Sequence, residues 1–249
     1  MVGAEQIIDD ETFDQAEFIN KVAACPECPK SACPSPERYM KAYDCEAEHI
    51  YAVTLSSELS GSYNSAVLGA NLAQEEDEDL KIHVFNSRSA SIGETLIVKK
   101  IVECEEAGMS FERVVETVEL YISTQHTYFV LANLETLRKN GRLSKTKALV
   151  ASALKIKPVM GATSEGDIVQ LDQARGMTRA LDRMAEIACK EGGDTASKRL
   201  VIAHCNNPER AEHVKEIMCK RANFREVVIT NTAGVATVYA GDGGIVMTL

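Results

Sequence analysis

Residues 50–66 read IYAVTLSSELSGSYNSA, and this stretch decides the fold class. Its first six residues are mostly β-branched, aromatic or aliphatic, as in a buried parallel strand, and the apolar spacing of residues 63–72 indicates an amphipathic helix. Ligands of open α/β sheets bind beyond the carboxyl ends of strands, where helix N-termini present unpaired N–H groups. Serines surround Gly61 at this junction: Ser56, Ser57, Ser60 and Ser62. The segment indicates an anion-binding turn, although serines are also ordinary N-caps.

The same alternation of strand and helix patterns runs through the first half of the chain. The expected strands are residues 49–55, 81–86 and 127–132. The expected helices are residues 11–24, 63–75, 92–107 and 111–125, with a further helix beginning at Ser35-Pro36. Such alternation is typical of a parallel sheet covered by helices. We therefore predict a three-layer, parallel-sheet α/β domain over residues 1–147.

The pattern changes after a short helix at residues 134–140, which Gly141 ends. Two strand patterns flank the hairpin signal Glu165-Gly166, and three later strands alternate with two helices. The expected strands are residues 155–160, 167–172, 199–204, 226–230 and 244–248, and the expected helices are residues 177–189 and 208–222. We predict a second, two-layer α/β domain with a mixed sheet over residues 148–249.

Composition and charge exclude several classes of protein. The chain has 249 residues, of which 45% are apolar, but no apolar run approaches the length of about 20 residues that spans a membrane. A net charge of -10 repels nucleic acid and anionic membrane surfaces. No basic and then apolar leader follows Met1, so no secretion signal is expected. We expect a cytoplasmic protein without integral membrane association and without a nucleic-acid partner.

The eight cysteines form no evenly spaced disulfide framework, which suits a reducing cytoplasm. Cys25-Pro-Glu-Cys28 is a close pair, but a zinc site with four thiolates needs a second one, and Cys33 and Cys45 are too far apart. We interpret these residues as inert loop cysteines, with zinc binding or redox pairing of Cys25 and Cys28 as alternatives. No metal or cofactor is expected.

Catalytic motifs are absent from the sequence, which contains no GxxxxGK[ST], HExxH or GxSxG string. The five histidines fall into no metal-ligand spacing. His204 ends an expected strand beside Asn206, where it could face a cleft or be a satisfied structural histidine. We therefore expect no catalytic residue and no enzymatic activity.

Two positions could bring fixed positive charge to a site. Arg175 follows an expected strand and precedes the helix that begins at Met177, so it could pair with a carboxylate at a domain interface or be a solvent-facing cap. Arg142 belongs to a basic cluster on an otherwise acidic chain, with Arg138, Lys139, Lys145 and Lys147. Such a local reversal of charge could be a solvated face or a docking surface for an acidic partner.

Several segments in order resemble the DegV family of bacterial lipid-binding proteins. The most specific is the SS-x-LSG-[ST]-Y string, matched by SSELSGSY at residues 56–63. The others are SACPSPERY (31–39), NSRSASIGE (86–94), TYFVLANLETLRKNGRLSK (127–145) and residues 154–176. The resemblance covers nearly the whole chain. Family members usually begin with a strand and an Asp-Ser turn upstream, so this chain is expected to be truncated at its N-terminus.

The resemblance implies a single long-chain fatty acid, such as palmitate, held between the two domains, and no cofactor. It maps the carboxylate to Ser31 and to the turn of Ser60, Gly61 and Ser62, with Arg175 nearby. Many members carry a histidine in an H-x-GPG segment, where this chain reads YAGDG from Tyr239. A phenol donates a hydrogen bond but supplies no positive charge. Ala32 also replaces a common second hydroxyl.

The resemblance also implies a partner, because characterised members hand the fatty acid to a separate kinase that makes an acyl-phosphate. On this reading Arg138, Lys139 and Arg142 are candidates for the docking surface. An alternative is a subunit of a small-molecule kinase, since dihydroxyacetone kinases have a similar fold, but the chain lacks a nucleotide loop. A redox or metal sensor that uses Cys25 and Cys28 is a third possibility.

Overall fold

The computed structural model describes residues 1–143 and 155–249. The helices in these ranges are α1 (Gln15–Ala24), α2 (Pro36–Tyr43), α3 (Ser62–Glu76), α4 (Ile92–Glu106), α5 (Phe111–Ser123), α6 (Glu135–Lys139), α7 (Met177–Glu191), α8 (Pro208–Arg221) and α9 (Gly234–Ala240). The strands are β1 (His49–Thr54), β2 (Lys81–Asn86), β3 (Thr127–Val130), β4 (Ile156–Ala162), β5 (Ile168–Arg175), β6 (Arg199–His204), β7 (Glu226–Asn231) and β8 (Ile245–Thr248).

The chain divides into two compact units. The first unit comprises Met1–Ser31, His126–Thr163 and Ile168–Leu249, and the second comprises Ala32–Gln125 and Ser164–Asp167. The mixed α/β fold with two sheets agrees with the sequence prediction. The predicted boundary between residues 147 and 148 lies outside the described residues, and the described chain changes unit elsewhere.

The second unit has three layers around the parallel pair β1 and β2. Side chains alternate across a strand, so Ile50 and Val84 face α2 and α3, whereas Val53 and Phe85 face α4 and α5. A Cβ at Gly69 would lie 2.6 Å from the Pro36 carbonyl oxygen, so only glycine permits the close approach of α3 to α2. The parallel β1-α3-β2 arrangement places the turn before α3 at the carboxyl end of β1.

The first unit contains a six-stranded mixed sheet in the order β5-β4-β3-β8-β6-β7. Strands β6 and β7 are parallel, and the pairs that involve β3, β4, β5 and β8 are antiparallel. A core of apolar side chains lies between this sheet and helices α7 and α8; its fully buried members include Met184, Leu200, Ile202 and Met218. The mixed sheet agrees with the predicted fold class, but the unit also contains Met1–Ser31 and β3, which the sequence analysis placed in the parallel-sheet domain.

The sequence prediction was wrong about β3, which it assigned to the parallel sheet. In the structure β3 pairs antiparallel with both β4 and β8. Its buried residues Tyr128 and Val130 belong to the core of the first unit, and the Tyr128 hydroxyl donates to Glu191 at 2.7 Å. Periodicity reveals that a segment is a strand, but the partner of the strand depends on residues distant in sequence, here the C-terminal β8.

In the described ranges, no helix is both long enough and apolar enough to cross a membrane.

Candidate functional site

Ser60 and Ser62 flank Gly61 at the point where the chain enters α3. Their Oγ atoms are 2.9 Å apart, and the Ser62 backbone N–H donates to Ser60 Oγ at 3.2 Å. Gly61 is the N-cap and provides no side-chain acceptor, and the first N–H groups of a helix have no acceptors within that helix. The turn therefore combines two hydroxyls with backbone donors, an arrangement suited to an anion.

Two residues that the sequence analysis did not assign to the head-group site lie beside this turn. The Tyr39 phenol is hydrogen-bonded to Ser62; burial raises the pKa of Tyr39 and this hydrogen bond acts in the opposite sense. Tyr39 therefore stays protonated at neutral pH and brings another hydroxyl to the turn. The exposed Cys33 is also close, because a Cβ at Gly61 would lie 3.6 Å from its Sγ.

The other serines at the ends of β1 and β2 bond to one another and to nearby backbone groups. Ser57 N–H donates to Asn86 Oδ1 at 3.2 Å, and Asn86 Nδ2 donates to Ser57 Oγ at 2.8 Å. Ser87 Oγ donates to the Ser89 carbonyl and accepts the Ser89 N–H, both at 3.1 Å. We call the set formed by Ser56, Ser57, Asn86, Ser87 and Ser89 the closed serine network.

Ser56 connects this network to the tip of the β4–β5 hairpin. Its Oγ donates to the Gly166 carbonyl at 2.9 Å and accepts the Glu58 N–H at 3.2 Å. Gly166 has a φ of +94°, and a Cβ there would lie 2.3 Å from Ser56 Oγ and 2.8 Å from Arg88 Cα. Ser56 thus holds the loop after β1 against the hairpin tip. The serine cluster of residues 56–62 divides into a structural half, Ser56 and Ser57, and a candidate binding half, Ser60 and Ser62.

The first unit brings together three residues that we call the Arg142 cluster: Ser31, Arg142 and Tyr239. Ser31 Oγ and the Tyr239 hydroxyl are hydrogen-bonded at 2.8 Å. The guanidinium carbon of Arg142 lies 5.9 Å from the centroid of the Tyr239 ring, within cation–π range. Tyr239 thus contacts Ser31 through its hydroxyl and a fixed positive charge through its ring. The sequence analysis named all three residues but gave Arg142 a different role.

The C-terminal end of α6 positions Arg142. Gly141 has a φ of +76°, and Arg142 N–H donates to the Leu137 carbonyl at 2.9 Å while Gly141 N–H donates to the Arg138 carbonyl at 3.0 Å. These two bonds define a Schellman motif, which requires the left-handed glycine. Arg142 also donates to the Asn140 carbonyl. Asn140 Nδ2 in turn donates to the Pro29 carbonyl at 3.0 Å and so fixes the loop that leads to Ser31.

Helix α9, which the sequence analysis missed, carries Tyr239. The Asp9 carboxylate caps it by accepting the N–H groups of Gly234 at 2.8 Å and Val235 at 2.7 Å. A Cβ at Gly234 would lie 2.4 Å from Asp9 Cγ, so the cap requires glycine. The capping residue is 225 positions away in sequence, so no local signal marks where this helix begins.

The remaining basic candidates have different surroundings. Arg175 is exposed at the end of β5. Arg138 is exposed and forms an ion pair with Glu135 at 2.8 Å, and Lys139 is exposed beside it on α6. The predicted docking role of Arg142 stays a prediction, but its side chain is half-buried on Tyr239 rather than exposed. Lys145 and Lys147 lie outside the described residues.

All eight cysteines lie in the described ranges and are unpaired. Cys28 Sγ is 3.6 Å from both the Pro29 carbonyl oxygen and Asn140 Nδ2, so it belongs to the loop that leads to Ser31. Within those ranges, no group of three or more His, Cys, Asp or Glu side chains could hold a metal ion.

The fold and these two sites define an α/β protein with sites suited to anions, built from hydroxyls and one guanidinium. Residues 1–248 match the family described as uncharacterised proteins of the DegV family. The chain belongs to the DegV family. A DegV domain-containing protein of Streptococcus pneumoniae is 36% identical over 245 residues, which cover 98% of this chain and 86% of that protein.

Two solved structures are similar over nearly the whole chain. A DegV family protein from Ruminococcus gnavus, refined with vaccenic acid, is 54% identical with a TM-score of 0.97 over 100% of this chain and 89% of that one. The fatty acid kinase B3 protein of Streptococcus pneumoniae, loaded with linoleic acid, is 34% identical with a TM-score of 0.89 over 99% of this chain and 87% of that one.

Proposed function

We propose that this protein binds one long-chain fatty acid, such as palmitate, and presents its carboxylate to a fatty acid kinase. The observation that carries the proposal is the Arg142 cluster, in which the guanidinium carbon lies 5.9 Å from the centroid of the Tyr239 ring and the Tyr239 hydroxyl is hydrogen-bonded to Ser31 at 2.8 Å. These groups bind carboxylates through charge-assisted hydrogen bonds. The fatty acids in the two similar structures support the same class of ligand.

The acyl chain and the head group would contribute differently to binding. At about 0.8 kcal/mol per buried methylene, a long tail contributes on the order of 10 kcal/mol before the costs of association and ordering. A charge-assisted hydrogen bond to the carboxylate adds about 1.5–3 kcal/mol. The tail therefore supplies most of the affinity, and the head group selects a free acid and fixes which end is presented.

We assign the carboxylate contact to Ser31, Arg142 and Tyr239 in the first unit, and to the turn of Ser60, Gly61 and Ser62 in the second. Tyr239 offers a hydrogen bond without charge, so Arg142 is the source of fixed positive charge in its cluster. Arg175 is kept as a candidate on its charge alone.

A displacement titration with a fluorescent fatty acid tests the carboxylate contact. Palmitate should displace the probe at least about 30-fold more effectively than methyl palmitate, which keeps the tail but carries no negative charge. Equal displacement by the ester would mean that no cation of the protein binds the carboxylate, and it would overturn the assignment.

The proposal of a kinase partner rests on the nucleotide-binding motif that this sequence lacks. The sequence has no phosphate-cradling motif, so a separate kinase would supply the nucleotide site. The eight unpaired cysteines suit a reducing cytoplasm as the compartment of both proteins. The exposed residues Arg138 and Lys139 on α6 are our candidates for docking an acidic surface of that kinase.

Charge reversal tests docking separately from binding. With a fatty acid kinase and ATP, the double variant Arg138→Glu, Lys139→Glu should lose most acyl-phosphate formation, and added salt should slow the wild-type reaction. Fatty-acid affinity should not change. Lys220→Glu, a reversal of an exposed lysine on α8, is the matched control. Turnover of ATP by the chain alone, or full activity of the double variant, would contradict the partner role.

A further inference from the structure

A second candidate site is a cleft in the first unit whose lining includes none of the Arg142 cluster. Its volume is about 770 Å³, and it lies where the parallel strands β6 and β7 end. The residues that give it its chemistry are Asp10, Phe13, Asp14, His204, Asn231 and Thr232. The carboxyl ends of parallel strands are where ligands of α/β proteins bind.

The side chain of His204 is largely buried and lines this cleft. The residue is only 7% exposed, and its Nδ1 accepts the backbone N–H of Asn207 at 3.2 Å. Burial lowers the pKa of His204, so the ring is neutral at pH 7 and carries its hydrogen on Nε2. Within the described ranges no residue accepts that hydrogen. Both roles that the sequence left open therefore have support, because His204 lines a cleft and also accepts a structural hydrogen bond from Asn207.

Two carboxylates set the charge of the cleft. Asp10 Oδ1 accepts from Thr12 N–H at 2.9 Å and from Thr12 Oγ1 at 2.6 Å, and these bonds lower the pKa of Asp10. Asp14 Oδ1 accepts the Glu17 N–H at 2.8 Å. Each carboxylate uses one oxygen in this way. The N-termini of α1 and α8 each oppose them with about half a positive charge, which still leaves a negative balance that favours a cation.

The aromatic ring of Phe13 indicates which kind of cation the cleft would bind. Its ring packs on Phe18 with centroids 5.4 Å apart and also lines the cleft. A planar guanidinium stacks on an aromatic face and pairs with carboxylates through several donors, whereas an ammonium ion is a more strongly hydrated point charge. An aromatic ring beside two carboxylates therefore favours guanidinium.

We propose that this cleft binds an arginine residue of a partner polypeptide. The guanidinium pairs with Asp10 and Asp14 and stacks on Phe13, and a backbone carbonyl of the partner accepts the Nε2 hydrogen of His204. Charge complementarity supports a basic segment as the occupant, since this chain carries a net charge of -10. The site is independent of the fatty-acid proposal, because it shares no residue with the head-group contacts.

An NMR titration of the full chain tests the proposal with acetyl-Gly-Arg-Gly-amide as the probe. The same peptide with citrulline keeps the shape but loses the charge, and should bind about tenfold more weakly. The double variant Asp10→Asn, Asp14→Asn keeps the local turn and cap, since asparagine also caps helices. It should weaken binding of the arginine peptide by a similar factor. The ring nitrogen signals of His204 should shift on binding.

Two controls make the proposal refutable. Glu11→Gln removes a neighbouring charge that does not line the cleft, and it should leave binding unchanged. Ethylguanidine carries the guanidinium, with the same single charge as the peptide, but has no carbonyl, so it should bind more weakly than the peptide. Equal binding of the citrulline peptide, ethylguanidine binding as tight as the arginine peptide, an equal loss in Glu11→Gln, or no saturable binding would each overturn the proposal.

Discussion

The closed serine network and the Arg142 cluster are both built from hydroxyls, but they differ in what they leave for a ligand. In the network, Ser57 and Asn86 bond reciprocally, as do Ser87 and Ser89. In the cluster, Ser31 and Tyr239 share one hydrogen bond, so one of their two O–H groups is still available among the described residues. The Arg142 guanidinium, whose carbon lies 5.9 Å from the Tyr239 ring centroid, adds positive charge to the cluster.

If the proposed assignment holds, the density of hydroxyls is a poor guide to binding. The serine cluster of residues 56–62 drew attention as one feature, yet Ser56 and Ser57 serve the backbone, whereas Ser60 and Ser62 form a pair at a helix N-terminus. A hydroxyl whose bonds are all made inside the protein stabilises a loop. One with a donor left over, near a positive charge, can recognise an anion.

The largest expected effect falls on stability and tests the structural role of the network. Gly166→Ala should lower the free energy of unfolding by about 3 kcal/mol, because the new Cβ would clash with Ser56 Oγ at a φ that disfavours alanine. Denaturant unfolding measures the change. Affinity for fatty acid, measured on the folded fraction, should stay within about twofold of wild type.

Gly108→Ala is the matched control for backbone strain. Gly108 has a φ of +68°, but a Cβ there would meet nothing within 4 Å. Gly108→Ala should therefore lower the free energy of unfolding by only about 1 kcal/mol, because backbone strain is its only cost. If the two variants are equally stable, the contact between Ser56 and Gly166 contributes nothing.

The next effect concerns affinity and tests the Arg142 cluster. Arg142→Met keeps much of the apolar stem but removes the charge, and should weaken fatty-acid binding by about 2 kcal/mol in a displacement titration. Arg138→Met removes an exposed arginine of the same helical segment and should leave affinity unchanged. Equal affinities in the two variants would mean that Arg142 does not contact the head group.

The smallest effects distinguish single hydroxyls. Ser31→Ala and Ser62→Ala should each weaken fatty-acid binding by about 1 kcal/mol, the usual contribution of one hydrogen bond, with the fold intact. Ser57→Ala should instead lower stability by a similar amount and leave affinity unchanged, since Ser57 bonds to Asn86. Full affinity in both of the first two variants would place the carboxylate elsewhere.

Most of the secondary structure was predictable from local patterns. Strand β2 has the bounds that its periodicity predicted, and α4 differs by one residue at its end. Features that depend on distant residues were not predictable: β3 joins the other sheet through β8, and α9 begins on a carboxylate supplied by Asp9. A helix of seven residues with no capping side chain of its own carries too little local signal.

The candidate site was predictable in composition but not in grouping. The resemblance supplied Ser31, Ser62 and Tyr239, and charge patterning supplied Arg142 with a docking role. The sequence did not reveal that Gly141 and Asn140 bring Arg142 and the Ser31 loop to the same place, because this follows from a Schellman motif and one amide contact. The signal was the Asn140-Gly141-Arg142 string, which combines a C-cap, a left-handed glycine and a cation.

The central claim, that one fatty acid binds per chain, is tested most directly by mass spectrometry of protein purified from a heterologous host. Native spectra should contain a species heavier than the apoprotein by the mass of one long-chain fatty acid. An organic extract should yield that acid in about equimolar amount, because burial of a long acyl chain contributes a large favourable free energy. Phospholipid, nucleotide or no ligand in the extract, together with failure of added palmitate to bind, would contradict the account.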